Sequence, residues 1–213
     1  VVVVNADGET LPLASTEAVE IIDENDPIWC PTGVAPISGV GGCTTTKLSF
    51  NGGTGLIAFL SNKTVNGTIW ILGSYQGTDV IENYTSIVLD GSLLGTTKNF
   101  ALTVKGGWTG TSAGAINTLD PSEFNVPLHI INWNGDVNFS DIVILNPNVP
   151  GADALKVQTT KNIKLDRVVV NGNAAQGGAD LNNSTGAATM TVIVNNSTFS
   201  GNNGFGLNIA SAG

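Results

Sequence analysis

Three segments in the C-terminal half of this 213-residue chain lie on one another without gaps. They are Val137-Asn138-Phe139-Ser140-Asp141-Ile142-Val143-Ile144, Ile163-Lys164-Leu165-Asp166-Arg167-Val168-Val169-Val170 and Val192-Ile193-Val194-Asn195-Asn196-Ser197-Thr198-Phe199, offset by 26 and then 29 residues. The last two also share a tail, Asn171-Gly172-Asn173 against Ser200-Gly201-Asn202. A short apolar leader precedes each: Leu128-His129-Ile130-Ile131, Ala154-Leu155-Lys156-Val157, and Leu181 with its neighbours; another begins at Gly206-Leu207-Asn208-Ile209-Ala210. A period in the high twenties holds two or three short strands joined by polar turns. Apolar residues at matching places in successive periods predict that like stacks on like, as in a parallel coil whose strands pair with their copies about 4.8 Å away. Three interior columns follow: Val137, Ile163 and Val192; Phe139, Leu165 and Val194; Ile144, Val170 and Phe199.

Composition agrees with an all-β chain. Only 12% of residues are charged, Gly, Asn, Thr and Ser are abundant, and no Lys/Glu-patterned stretch marks a long helix. Upstream, Gly67-Thr68-Ile69-Trp70-Ile71-Leu72-Gly73-Ser74-Tyr75, Thr85-Ser86-Ile87-Val88-Leu89-Asp90-Gly91 and Phe100-Ala101-Leu102-Thr103-Val104-Lys105-Gly106-Gly107-Trp108 each read as a strand and a turn.

This run, with the later coils of valine, alternating apolar positions and a closing asparagine, resembles the pectate-lyase-like superfamily. It is most similar to the non-catalytic right-handed parallel β-helix repeat proteins of bacterial cell surfaces. The match covers Thr68 to Gly213, and its motifs are more specific for fold than for function. The resemblance implies a right-handed parallel β-helix solenoid of about five to six coils. Residues 51–213 are assigned to the coils and residues 1–50 to an N-terminal strand and capping region. A cap is needed because an end coil exposes unpaired backbone and apolar interior. Val1 to Val4 read as an edge strand and Pro12 to Glu24 as a short helical or strand cap. No cap is visible at the other end, where the chain stops partway into a coil. Either the polypeptide continues or another molecule completes that coil, which makes Val1, Val2, Val3, Val4, Leu207 and Ile209 candidates for head-to-tail self-association.

The net charge of −9 is uneven: Asp7, Glu9, Glu17, Glu20, Asp23, Glu24 and Asp26 all precede the first Lys or Arg. Such acidity disfavours nucleic acid as a partner. No apolar run reaches the roughly 20 residues that span a bilayer. The chain begins with Val1 rather than Met, which reads as loss of an upstream piece; a cleaved signal peptide is the commonest such piece, although a trimmed chain would look the same, and the first reading gives an exported, extracellular or cell-surface protein. Cys30 and Cys43, the two cysteines, enclose a Gly- and Pro-rich loop and read as one disulfide.

Few residues suggest chemistry. Polysaccharide lyases on the resembled fold use Arg or Lys as base and clustered Asp to hold calcium against an acidic sugar; glycoside hydrolases need carboxylates about 5–9 Å apart. Arg167 is the only arginine, and stacking places Asp141 one coil below it with Asp166 beside it. That corner reads first as a cross-coil ion pair and only second as acid/base machinery. His129 has no triad partner at recognisable spacing and reads as a rim residue. Asp23, Glu24 and Asp26 are the best calcium candidates, by hard oxygen ligands, although a solvated acidic turn explains them as well; no other cofactor is implied. Trp70 alternates with Ile69 and Ile71 and should face outward, against either the chain or a glycan. Asn62, Asn66, Asn83, Asn138, Asn182, Asn183, Asn195 and Asn196 begin Asn-x-Ser/Thr triplets, but Asn also fills left-handed turns and side-chain ladders. The chain therefore reads as an extracellular structural or adhesive protein, not an enzyme, that contacts itself or cell-surface polymers. A carbohydrate-active enzyme or carbohydrate-binding module is the alternative.

Overall fold

A computed structural model describes residues 27–45, 48, 50, 55–75, 86–93 and 99–213. The described residues form mostly strands, with almost no helix, in two sheets. The first contains, in spatial order, β1 (Ile28–Pro31), β2 (Gly67–Leu72), β4 (Leu102–Trp108), β7 (Val137–Leu145), β9 (Ile163–Asn171) and β11 (Val192–Asn195). Beside it β5 (Ser122–Phe124) pairs with β7, and β12 (Thr198–Ser200) with β9. The second runs β3 (Ile87–Asp90), β6 (Leu128–Trp133), β8 (Leu155–Thr159), β10 (Ala179–Asn182) and β13 (Leu207–Ala210). From β2 onward the chain passes back and forth between the sheets, and each return lands on the next strand of the same sheet in the same direction. Every pair is parallel except β1 with β2.

Register follows the sequence repeat. Val137 faces Ile163 and Val192 faces Ile163; Phe139 and Val194 both face Leu165; Ile144 and Phe199 both face Val170. Alternation buries one side of each strand, so Val104, Phe139 and Leu165 are almost fully enclosed together with Ile130 and Val157 of the second sheet. The columns are not equally dry along their length. Val192, Val194, Phe199 and Leu207 are only partly buried, because no strand covers β11, β12 and β13 from outside among the described residues.

A bend recurs at one place in the first sheet. Asp141, Arg167 and Asn196 occupy equivalent positions and all have left-handed backbone, with φ of 58°, 54° and 50°. After Asp141 the alternation resets, so that Asp141 and Ile142 are buried in succession. One rung earlier Gly106 is the neighbour of Asp141, and a Cβ there would collide with the Asp141 carbonyl. The bend leaves room only for backbone at that rung.

The far edge is closed differently. Strand β1 lies antiparallel on β2, and its own outer edge is bonded by Thr44 N–H to Trp29 O (2.9 Å) and Leu48 N–H to Pro27 O (2.9 Å). The Cys30–Cys43 disulfide ties this layer together. A five-residue helix, α1 (Leu56–Leu60), adds Leu56 and Leu60 to the core, while Phe59 packs on the buried Trp29 with centroids 5.6 Å apart. This helix lies inside the range assigned above to coils: its apolar run completes the covering layer. The expected Val1–Val4 strand and the Pro12–Glu24 cap lie outside the described residues.

Candidate functional site: a polar groove on the first sheet

The outward side chains of β4, β7 and β9 stand in register. Thr103 faces Asn138, which faces Lys164; Lys105 faces Ser140, which faces Asp166. With Arg167 they line an open groove of about 410 Å³. Asn138 Nδ2 donates to Thr103 Oγ1 at 3.4 Å, and Asn196 Nδ2 donates to Asp166 Oδ1 at 3.0 Å.

Arg167 closes one end. Its Nε and Nη2 donate to the two oxygens of Asp141 at 2.6 and 2.9 Å, and Nη1 donates to Asp166. The Asp141 side chain is 1% exposed and that of Arg167 40%. The Asp141 hydrogen bonds push the guanidinium further above its already high range, with burial opposing and both carboxylate charges adding. A guanidinium so held cannot surrender a proton near neutral pH, and the two carboxylates occupy three of its five N–H groups. The corner read from the sequence is thus assembled, as an ion pair that carries the bend.

Replacing Arg167 with alanine would leave the Asp141 carboxylate buried and unpaired. Losing one partner of a fully buried pair costs about 3–5 kcal/mol; solvent around the part-exposed guanidinium reduces this to about 2 kcal/mol. Arg167→Lys should restore little, because an ammonium cannot bind both oxygens as a fork. Urea denaturation measures the loss, and a change below about 0.5 kcal/mol would show the pair to be solvated.

The other polar candidates are dispersed. His129 is on the outer face of the second sheet, where its row continues through Lys156, Asp180 and Asn208. Its Nε2 lies 2.8 Å from the Asp153 carbonyl, to which it donates as Nε2–H. Burial pushes the imidazole below its usual range, against a smaller opposite pull from that hydrogen bond. Lys156 pairs with Asp180 at 3.7 Å, and Asn208 Nδ2 donates to Asp180 Oδ1 at 2.8 Å. This is an outer ladder, remote from Arg167.

Trp70 faces outward between the fully buried Ile69 and Ile71. It packs against Trp108 at 6.4 Å between ring centroids, carries the Lys105 ammonium 4.9 Å from its ring, and is covered at the Gly114 turn, where a Cβ would lie 3.0 Å from the indole. Trp29 and Trp133 are core residues. Several sequon asparagines serve the backbone: Asn183 Nδ2 donates to Lys161 O and Thr191 O, Asn66 Oδ1 accepts from Ala101 N–H, and Asn196 holds the left-handed bend. Asn83 lies outside the described residues.

Asp23, Glu24 and Asp26 also lie outside the described residues, among which no group of three or more His, Cys, Asp or Glu side chains could hold a metal ion. No helix among the described residues is long and apolar enough to cross a membrane. Lys105 and Lys164 were not singled out in the sequence; the signal for them is an outward place in the two repeats that flank β7. Comparison with protein-family models, curated proteins and solved structures finds no match.

Proposed function

We propose that the chain is an extracellular structural or adhesive protein built as a right-handed parallel β-helix, and that it associates with itself through the end formed by β11, β12 and β13. The alternating passage between two parallel sheets supports the coil, and crossovers between parallel strands are right-handed in about 98% of cases. The resemblance to non-catalytic β-helix repeat proteins supports the structural role, and the disulfide suits an oxidising compartment.

The observation that carries self-association is the incomplete burial of apolar side chains on β11, β12 and β13, the outermost strands among the described residues. Val192, Val194, Phe199 and Leu207 are half-covered, and Ile193, Phe205 and Ile209 are 45%, 38% and 46% exposed. Parallel edge strands with free backbone and apolar neighbours recruit further strands. Size-exclusion chromatography with light scattering, over a concentration series, is expected to show mass rising with concentration. Val194→Lys with Ile209→Lys should return the protein to monomer. Strictly monomeric wild-type particles at high concentration would exclude the self-associating form.

A further inference from the structure

We infer that the groove on the first sheet binds a sparsely charged anionic glycan, one whose acidic groups are separated by neutral sugar, through Lys105 and Lys164. This names a partner for the adhesive reading above and rests on it. The first observation is charge. Lys105, Lys164 and Arg167 line the groove against a single carboxylate, Asp166, in a chain whose net charge is −9. Arg167 is held by Asp141 and Asp166. One guanidinium and two carboxylates sum to −1, so the two lysines leave the groove with one net positive charge.

Neither lysine has a carboxylate within ion-pair distance among the described residues; the Lys105 ammonium rests 4.9 Å from the centre of the Trp70 ring instead. The two ammoniums, and not the guanidinium, are therefore the groups open to an anion. The net charge repels such a ligand at a distance, but salt screens that repulsion beyond about 8 Å at physiological ionic strength. Contacts inside the groove are shorter and keep their strength.

The second observation is spacing, which selects the class of anion. Lys105 and Lys164 stand on β4 and β9, with β7 between them. They also lie one outward step apart along the strands, because it is Thr103 that shares a row with Asn138 and Lys164. Two strand spacings and one such step separate their Cα atoms by about 12 Å. Across that gap β7 presents Asn138 and Ser140, neutral side chains that both donate and accept. Cation, neutral hydrogen-bonding row, cation is the complement of acid, hydroxyl-bearing neutral sugar, acid. A chain with an acid on every sugar fits less well, because one of its charges would meet Asp166 in the same groove. Duplex nucleic acid, with one charge about every 1.7 Å, fits worse still.

Titration of the full chain with hyaluronan oligosaccharides, which carry one carboxylate per disaccharide, tests this by NMR. At low salt, amide shifts are expected at Lys105, Asn138, Ser140 and Lys164, fading above about 0.5 M salt as the screening length shortens. Lys105→Gln/Lys164→Gln should weaken binding about tenfold, as for two exposed ion pairs. Lys156→Gln/Lys161→Gln removes the same charge outside the groove and should change affinity less than about twofold. Polygalacturonate, charged on every sugar, and polyglutamate, an acidic peptide, are expected to bind more weakly than hyaluronan. Absence of shifts with hyaluronan at low salt would overturn the inference, as would equal loss in the two double variants, which would assign binding to net charge alone. Tighter binding of polygalacturonate would overturn the spacing argument, and tighter binding of polyglutamate would assign the groove to an acidic protein. Light scattering on the same samples keeps the two readings apart: a strictly monomeric chain that binds hyaluronan strikes only the self-association, and a self-associating chain that does not bind it strikes only this inference.

Discussion

Phe139→Ala is expected to remove about 3–5 kcal/mol of stability, the range for truncating a large aromatic in a packed core. Phe139 is 1% exposed and stands in the ladder between Val104 and Leu165, each fully buried. Neither neighbour can move into the vacated space without breaking its own strand pairing, so the cavity remains and its cost with it. Truncation at the far end of the same column should behave differently. Val194 is partly exposed at the outermost strand, so Val194→Ala should cost less than about 1 kcal/mol. Chemical denaturation of the two variants reads this gradient directly. Equal losses at Phe139 and Val194 would mean that the interior is not organised by rung.

Loss of the Cys30–Cys43 disulfide is the second large effect. The bond closes a loop of 13 residues' separation, and its half-cystines are 0% and 6% exposed beside Ile28 and Trp108. Loop closure of this size contributes about 3 kcal/mol, which for a chain of this length lowers the melting midpoint by about 10 °C. Cys30→Ser/Cys43→Ser should also act locally. Strand β1 is held to β2 on one side and by Thr44 and Leu48 on the other; without the disulfide that outer contact loses its anchor. Amide exchange at Ile28–Pro31 is expected to rise well before exchange in β7 and β9. Uniform loosening of all strands would show that the covering layer is not a separate unit.

What was legible beforehand followed from the physics of stacking. Parallel pairing forces equivalent side chains over one another, so Phe139, Leu165 and Val194 could be aligned from spacing alone, and the 26- and 29-residue offsets located the insertions at turns. The Asp141–Arg167 pair was legible for the same reason. The left-handed backbone at Arg167 was not, since Arg carries no such signature, whereas Asp141 and Asn196 are of the two types that visit it by local side-chain hydrogen bonding. Strand β5 has three residues and α1 five, too few to establish a period. Val1–Val4, read as an edge strand, lies outside the described residues; within them Ile28–Pro31 lies against β2. Its single apolar-aromatic pair beside a cysteine and a proline gave no alternation to read. The groove escaped notice because Lys105 and Lys164 are 59 residues apart and become neighbours only through β7, which stands between them.

The most direct test of the stacked arrangement is methyl-resolved NMR of the 21.8 kDa chain. The Leu165 methyls should show through-space contacts to both the Phe139 ring and the Val194 methyls, and the Val170 methyls to both Ile144 and Phe199. Absence of these contacts, or backbone contacts of antiparallel type between 137–145 and 163–171, would contradict the account.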